Sequence, residues 1–107
     1  LIFKDGFKVS IQASSFHYCT PRLDDENTLY THVELGYPSE RDSLIDEYIE
    51  DLSQEMEDIK WTESVYGWVP ATVVSWLIAK HGGWIGGELP NLGIVIENIV
   101  RMPIMRG

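Results

Sequence analysis

The sequence predicts an α+β domain: a small antiparallel sheet, made of an N-terminal hairpin plus a third strand, packed by two or three helices. Three observations carry that prediction. Apolar and polar residues alternate through 1–13 and 29–37, the period of a half-buried strand. Between 44 and 59, and again between 73 and 78, apolar residues recur at helical spacing instead. Finally, 107 residues with 44% hydrophobic and 23% charged side chains describe one folded domain, 1–107, able to bury a core without staples.

Residues 1–13, LIFKDGFKVSIQA, read as a hairpin turning at Asp5-Gly6. A two-residue loop would pair Phe3 with Lys8 and leave apolar side chains on both faces. A three-residue loop, Lys4-Asp5-Gly6 with Gly6 left-handed, pairs Phe3 with Phe7 and Leu1 with Val9. It gives one apolar face, with Lys8, Ser10 and Gln12 facing out, and is the preferred register. Residues 14–27 break the alternation, and Pro21 with Asp24-Asp25-Glu26-Asn27 marks a loop. The third strand, Leu29 to Tyr37, puts Leu29, Thr31, Val33 and Leu35 on one side and Tyr30, His32 and Glu34 on the other. Gly36 and Pro38 close it.

The stretch 38–63, PSERDSLIDEYIEDLSQEMEDIKWTE, reads as an amphipathic helix. Leu44, Ile45, Tyr48, Ile49, Leu52, Met56 and Ile59 fall within an arc of about 140°, the width of a core-facing stripe. Asp42, Asp46, Glu47, Glu50, Asp51, Glu57 and Asp58 lie opposite, and Ser39 is the N-cap. The later acids, Glu55, Glu57 and Asp58, oppose the helix dipole and are tolerated rather than explained. Residues 40–63 hold 10 of the 17 acids and 2 of the 8 bases, so −8 of the net −9 belongs to this segment.

Trp61 to Trp68 reads as an aromatic connector. Pro70 opens a second helix, with Val73, Val74, Leu77 and Ile78 as its apolar face and Trp76 in the core. Lys80 and His81 suit its C-terminal end, and Gly82 suits the residue after it. Gly82 to Gly87 reads as a flexible connector. The last segment, with Leu92, Val95, Ile96 and Ile99 behind an Asn91 cap, is expected to be helical despite its β-branched residues.

Several functional classes are disfavoured. One cysteine leaves no intramolecular disulfide. The longest apolar run, Val69 to Ala79, is too short to span a bilayer, and with no basic-then-apolar leader a cytoplasmic protein is expected. A net charge of −9 argues against direct binding to nucleic acid or an anionic membrane. Cys19 and His17 could form a nucleophile and base, but residues two apart on a strand share a face without reaching each other. His17, Cys19, His32 and His81 are metal-ligand types without a metal-ligand spacing, so no metal and no cofactor is expected. The glycine pairs at 82–83 and 86–87 lack the lysine of a phosphate loop.

Two features point to a protein partner. Trp61, Trp68 and Trp84 lie in connectors, where exposed aromatic rings mark interaction surfaces. The acidic face is ordinarily just a solvated one, yet its carboxylates stand about 5–6 Å apart at helical spacing. That approaches the phosphate spacing of a nucleic acid, so the face could enter a basic channel by mimicry.

The runs FKVSIQASSFHYCTPR, YTHVELGYPSE and SVYGWVPATVVSWLIAKHGG resemble a family of small acidic proteins from phages and prophages of Gram-positive bacteria. They cover roughly the first four-fifths of the chain and leave out the tail after Gly83. The resemblance implies an inhibitor of host defence of the anti-CRISPR type, acting in the bacterial cytoplasm on a nuclease such as Cas9. The expected partner-binding residues are Asp46, Glu47, Glu50, Asp51, Glu57 and Asp58, with Trp61 and Trp68. Of these, Glu47, Glu50, Asp51, Glu57 and Asp58 would imitate phosphates and meet the Lys and Arg of a channel that holds guide duplex or PAM DNA. The alternatives are a small Cys19/His17 enzyme and a homo-oligomeric phage accessory protein.

Overall fold

A computed structural model describes residues 1–15, 17–22 and 28–93. The fold is α+β, built among the described residues from two small antiparallel sheets and one α-helix. Strands β1 (Ile2–Phe3), β2 (Ser10–Gln12), β3 (His32–Gly36) and β4 (Val65–Pro70) precede helix α1 (Ala71–Lys80), and β5 (Trp84–Gly86) follows it. The sheets have the orders β2-β3-β4 and β1-β5.

The N-terminal hairpin has the three-residue loop that one-sided burial demands. Phe3 N–H donates to Phe7 O at 2.8 Å, and Val9 N–H donates to Leu1 O at 3.1 Å. Gly6 takes φ +96°, and Asp5 Oδ1 accepts the Phe7 N–H at 3.0 Å. Phe3, Phe7, Val9 and Ile11 are buried while Lys8 and Gln12 are exposed. In β3 the expected alternation holds for Val33 and Leu35, both fully buried, but not before it. Leu29 is 59% exposed and Tyr30 is buried, so the phase reverses where β3 begins.

The acidic helix is not there. Residues 38–63 run as an irregular strap with two single 3-10 turns, Asp46–Tyr48 and Met56–Asp58. Like charges three and four apart, and acids at the would-be C-terminus, weaken any helix here. Carboxylates also satisfy the backbone locally: Asp42 Oδ1 accepts Leu44 N–H, while Asp51 accepts the N–H groups of Ser53 and Lys60. The apolar stripe is divided as well. Ile45 is fully buried and Ile49 bridges to Tyr66 along the β4 edge, whereas Leu52 is 95% exposed. Among the described residues only one of the expected two or three helices is therefore seen. The third, expected behind Asn91, falls largely on 94–107, outside the described residues.

Two expected connectors are strands. Val65–Pro70 is the edge strand β4, and Trp84–Gly86 pairs with β1. Helix α1 starts as its proline implies, with Ala71 N–H donating to Thr31 O at 2.8 Å. It ends in a Schellman turn: Gly83 N–H reaches Ile78 O at 2.8 Å and Gly82 N–H reaches Ala79 O at 3.2 Å, with Gly82 at φ +84°. The helix buries Ala71, Val73, Val74, Ser75 and Leu77, but Trp76, expected in the core, is half exposed. Among the described residues one core joins both sheets, α1 and Ile45.

Candidate partner-binding surface

The strap carries most of the expected partner residues. Glu47, Glu50, Glu57 and Asp58 are exposed, and Asp46 and Asp51 are half-buried. Asp51 ties the strap into a closed loop from 51 to 60 by accepting Ser53 N–H at 2.8 Å and Lys60 N–H at 3.0 Å. Hydrogen bonds from Ser53, first its side chain, and from the Lys60 backbone hold its carboxyl below the usual range. Leu52 and Met56, meant for the core by their spacing, stand on this loop in solvent. The loop therefore exposes both acidic and apolar side chains.

Asp46 and Trp61 meet on a cation. Arg41 Nη2 donates to Asp46 Oδ2 at 2.9 Å, and its Nε lies 3.2 Å from the same carboxylate. The Arg41 Cζ sits 3.9 Å from the Trp61 ring centroid. A planar guanidinium is thus clamped between a ring and a carboxylate, the geometry that suits arginine better than lysine. Beneath it Tyr66 donates its hydroxyl to Trp61 O at 2.6 Å. Burial first, then the Asp46 charge, pushes that phenol up to about 12.

Trp68 lies elsewhere, at an irregularity in β4. Val33 pairs with Val69 and Leu35 with Tyr66, so Gly67 and Trp68 together oppose the single Glu34. This bulge puts Trp68 at φ +49°, a left-handed conformation that is rare for a bulky residue. Its N–H leaves the ladder and donates to Tyr18 O at 2.9 Å. The Tyr18 and Trp68 rings stack at 4.8 Å with an interplanar angle of 22°, and they are 41% and 42% exposed. Glu34 Oε2 accepts the Tyr18 N–H at 2.8 Å. Glu50 closes in from the strap: a Cβ on Gly67 would lie 2.6 Å from its Oε1 and 3.2 Å from Tyr18 Cβ. Tyr18 and Glu34 are not among the residues expected from the sequence. The signal that points to them is Gly67 inside a strand pattern, which marks a bulge or a close approach.

The cysteine–histidine pair does not form. Cys19 is buried, and its thiol donates to Ser14 O at 3.1 Å and Pro21 O at 3.3 Å. His17 Nδ1 instead meets Ser14 Oγ at 2.6 Å. His32 Nδ1 contacts Thr31 Oγ1, and His81 is enclosed by carboxylates. Among the described residues no group of three or more His, Cys, Asp and Glu is placed to hold a metal ion. Among them, too, no helix is long and apolar enough to cross a membrane. Comparison with protein-family models, curated proteins and solved structures finds no match.

Proposed function

We propose that this chain is a non-catalytic binding module that presents the strap 40–63 to the basic surface of a nucleic-acid-binding protein. In its sharpest form the module is a phage-encoded inhibitor that occupies the nucleic-acid channel of a host nuclease, in the manner its sequence resemblance implies. One observation carries the reading. Of the ten carboxylates in 40–63, only Asp42 and Asp46 have an ion-pair partner among the described residues, which leaves eight without one. Such a surface steers a basic partner over a Debye length and releases its counter-ions on contact.

Helical phosphate spacing is no part of this reading, because the strap is not a helix. What supports it is unneutralised charge on a loop closed by Asp51, with Leu52 and Met56 available for apolar contact once the surfaces meet. The test is target-DNA cleavage by guide-loaded Cas9 at low and moderate salt, with the protein and with its Glu47→Gln/Glu57→Gln/Asp58→Asn variant. The reading expects inhibition that fades with salt and is lost in the variant. Inhibition by the variant equal to that by the parent removes the acidic strap from the mechanism. No inhibition by either removes this class of nuclease as the target.

A further inference from the structure

Trp61 and Trp68 both stand near carboxylates, and among the described residues only the Trp61 site holds a cation. At Trp61 the chain supplies the cation itself: Arg41 lies over the ring at 3.9 Å and is held by Asp46 at 2.9 Å. At Trp68 the parts recur without it. The ring is paired with Tyr18, Glu34 is anchored at the Tyr18 N–H, and Glu50 Oε1 and Tyr18 Cβ both crowd Gly67, 2.6 Å and 3.2 Å from where its Cβ would stand. Among the described residues no Lys or Arg lies over either ring. The bulge that builds this arrangement holds Trp68 in a strained left-handed conformation, and such strain persists where the surrounding structure over-determines it. Although stacked on each other, the two residues remain 41% and 42% exposed.

We propose that the Tyr18–Trp68 pair, flanked by Glu50 and Glu34, is a seat for an arginine side chain of a partner protein. Flat rings accept a flat guanidinium by stacking, and the carboxylate oxygens accept its N–H groups in the plane. A lysine ammonium satisfies the charge but not the stacking, so arginine is preferred. The seat shares Glu50 with the strap but uses none of Glu47, Glu57 and Asp58, so the strap variant leaves it intact and the two readings fail in different experiments.

The experiment uses the whole chain and three small probes: N-acetyl-arginine amide, N-acetyl-lysine amide and the neutral N-acetyl-citrulline amide. Two-dimensional NMR follows the four tryptophan indole N–H signals and the Tyr18 amide. Salt of about 0.15 M damps diffuse attraction to the acidic chain. The arginine probe is expected to shift Trp68 and Tyr18 saturably, lysine several-fold more weakly, and citrulline not at all. Glu50→Gln, an exposed change that leaves the fold alone, is expected to raise the half-saturation point about threefold to fivefold. The proposal is overturned by any of four results. These are no Trp68 shift up to about 100 mM arginine probe, an equal response to lysine or citrulline, all four indoles moving together, and indifference to Glu50→Gln.

Discussion

His81 stands between two carboxylates, with Asp5 Oδ2 2.6 Å from its Nδ1 and Asp42 Oδ2 2.7 Å from its Nε2. Phe7 stacks on the imidazole at 4.1 Å, and Lys80 Nζ adds a contact to Asp42 at 3.0 Å. One side chain thereby pins the hairpin turn, the start of the strap and the end of α1. A carboxylate on each nitrogen favours the imidazolium, the form that donates twice and has no lone pair for use as a base.

That arrangement sets a pH window for stability. Burial pushes the His81 imidazole down, but its hydrogen bonds to Asp5 and Asp42 outweigh burial and raise its pKa above 6.5. The folded state then keeps a proton that the unfolded chain releases. His81's contribution is complete below pH 6.5 and is lost as pH rises through the folded value. The two acids act in the opposite sense. Burial pushes Asp42 up, yet the Leu44 N–H, Lys80 and His81 together hold it below 3.8; Asp5 is lowered by the Phe7 N–H and then His81. Their contribution is present above 3.8 and lost as pH falls through the depressed values. Urea midpoints are expected to be highest between these limits. The decline above pH 6.5 should be absent in His81→Gln; an unchanged alkaline decline would show that another group causes it.

Leu52 and Ile45 separate the strap from the helix that their spacing implies. A core-facing helix buries both, and then Leu52→Ala costs about 2–5 kcal/mol. In the strap Leu52 is 95% exposed and Ile45 is fully buried. Leu52→Ala is therefore expected to change stability by less than about 0.5 kcal/mol. Ile45→Ala should cost about 3 kcal/mol. Chemical denaturation of the two variants checks both values, and equal losses would restore the helix.

What the sequence made legible follows the range of the interactions involved. The hairpin register needed only local burial and one left-handed residue, Gly6. Helix α1 announced itself through Pro70 and Gly82, signals that act within a turn. The strap was misread because periodicity cannot tell a buried Ile45 from a solvated Leu52 when both fit one stripe. Its alternative depends on β4 offering an edge to Ile49 and Glu50, a pairing distant in sequence. Strand β4 was itself hidden, because the Gly67-Trp68 bulge breaks its alternation. The Tyr18–Trp68–Glu34 cluster was hidden for the same reason. Asp46 and Trp61 are expected at the partner surface, yet Arg41 of the same chain already engages both.

Gly87 tests the clasp between β1 and β5. It sits at φ +90°, and a Cβ there would lie 2.9 Å from Leu1 Cα, a backbone atom that cannot swing aside. Gly87→Ala combines left-handed strain with a steric shift of β1 against β5. A loss of about 2 kcal/mol is expected. Gly36→Ala is the control, since no atom lies within 4 Å of its built Cβ and its φ is not positive. Comparable thermal stabilities for the two variants would mean that β1 and β5 are not held as described.

Cys19 decides what becomes of the enzymatic alternative. A catalytic thiol must be reachable and must exchange its proton with a base. Here Sγ is buried at 2% exposure, and its hydrogen points to the Ser14 and Pro21 carbonyls, while the His17 ring is engaged with Ser14 Oγ. Native protein is therefore expected to react with iodoacetamide far more slowly than protein unfolded in urea. The native rate should track local opening rather than thiolate formation. Cys19→Ser should leave any binding activity of the strap unchanged. Native labelling as fast as that of the unfolded chain would mean the thiol is open to solvent, and the Cys19/His17 chemistry would again compete with the binding-module reading.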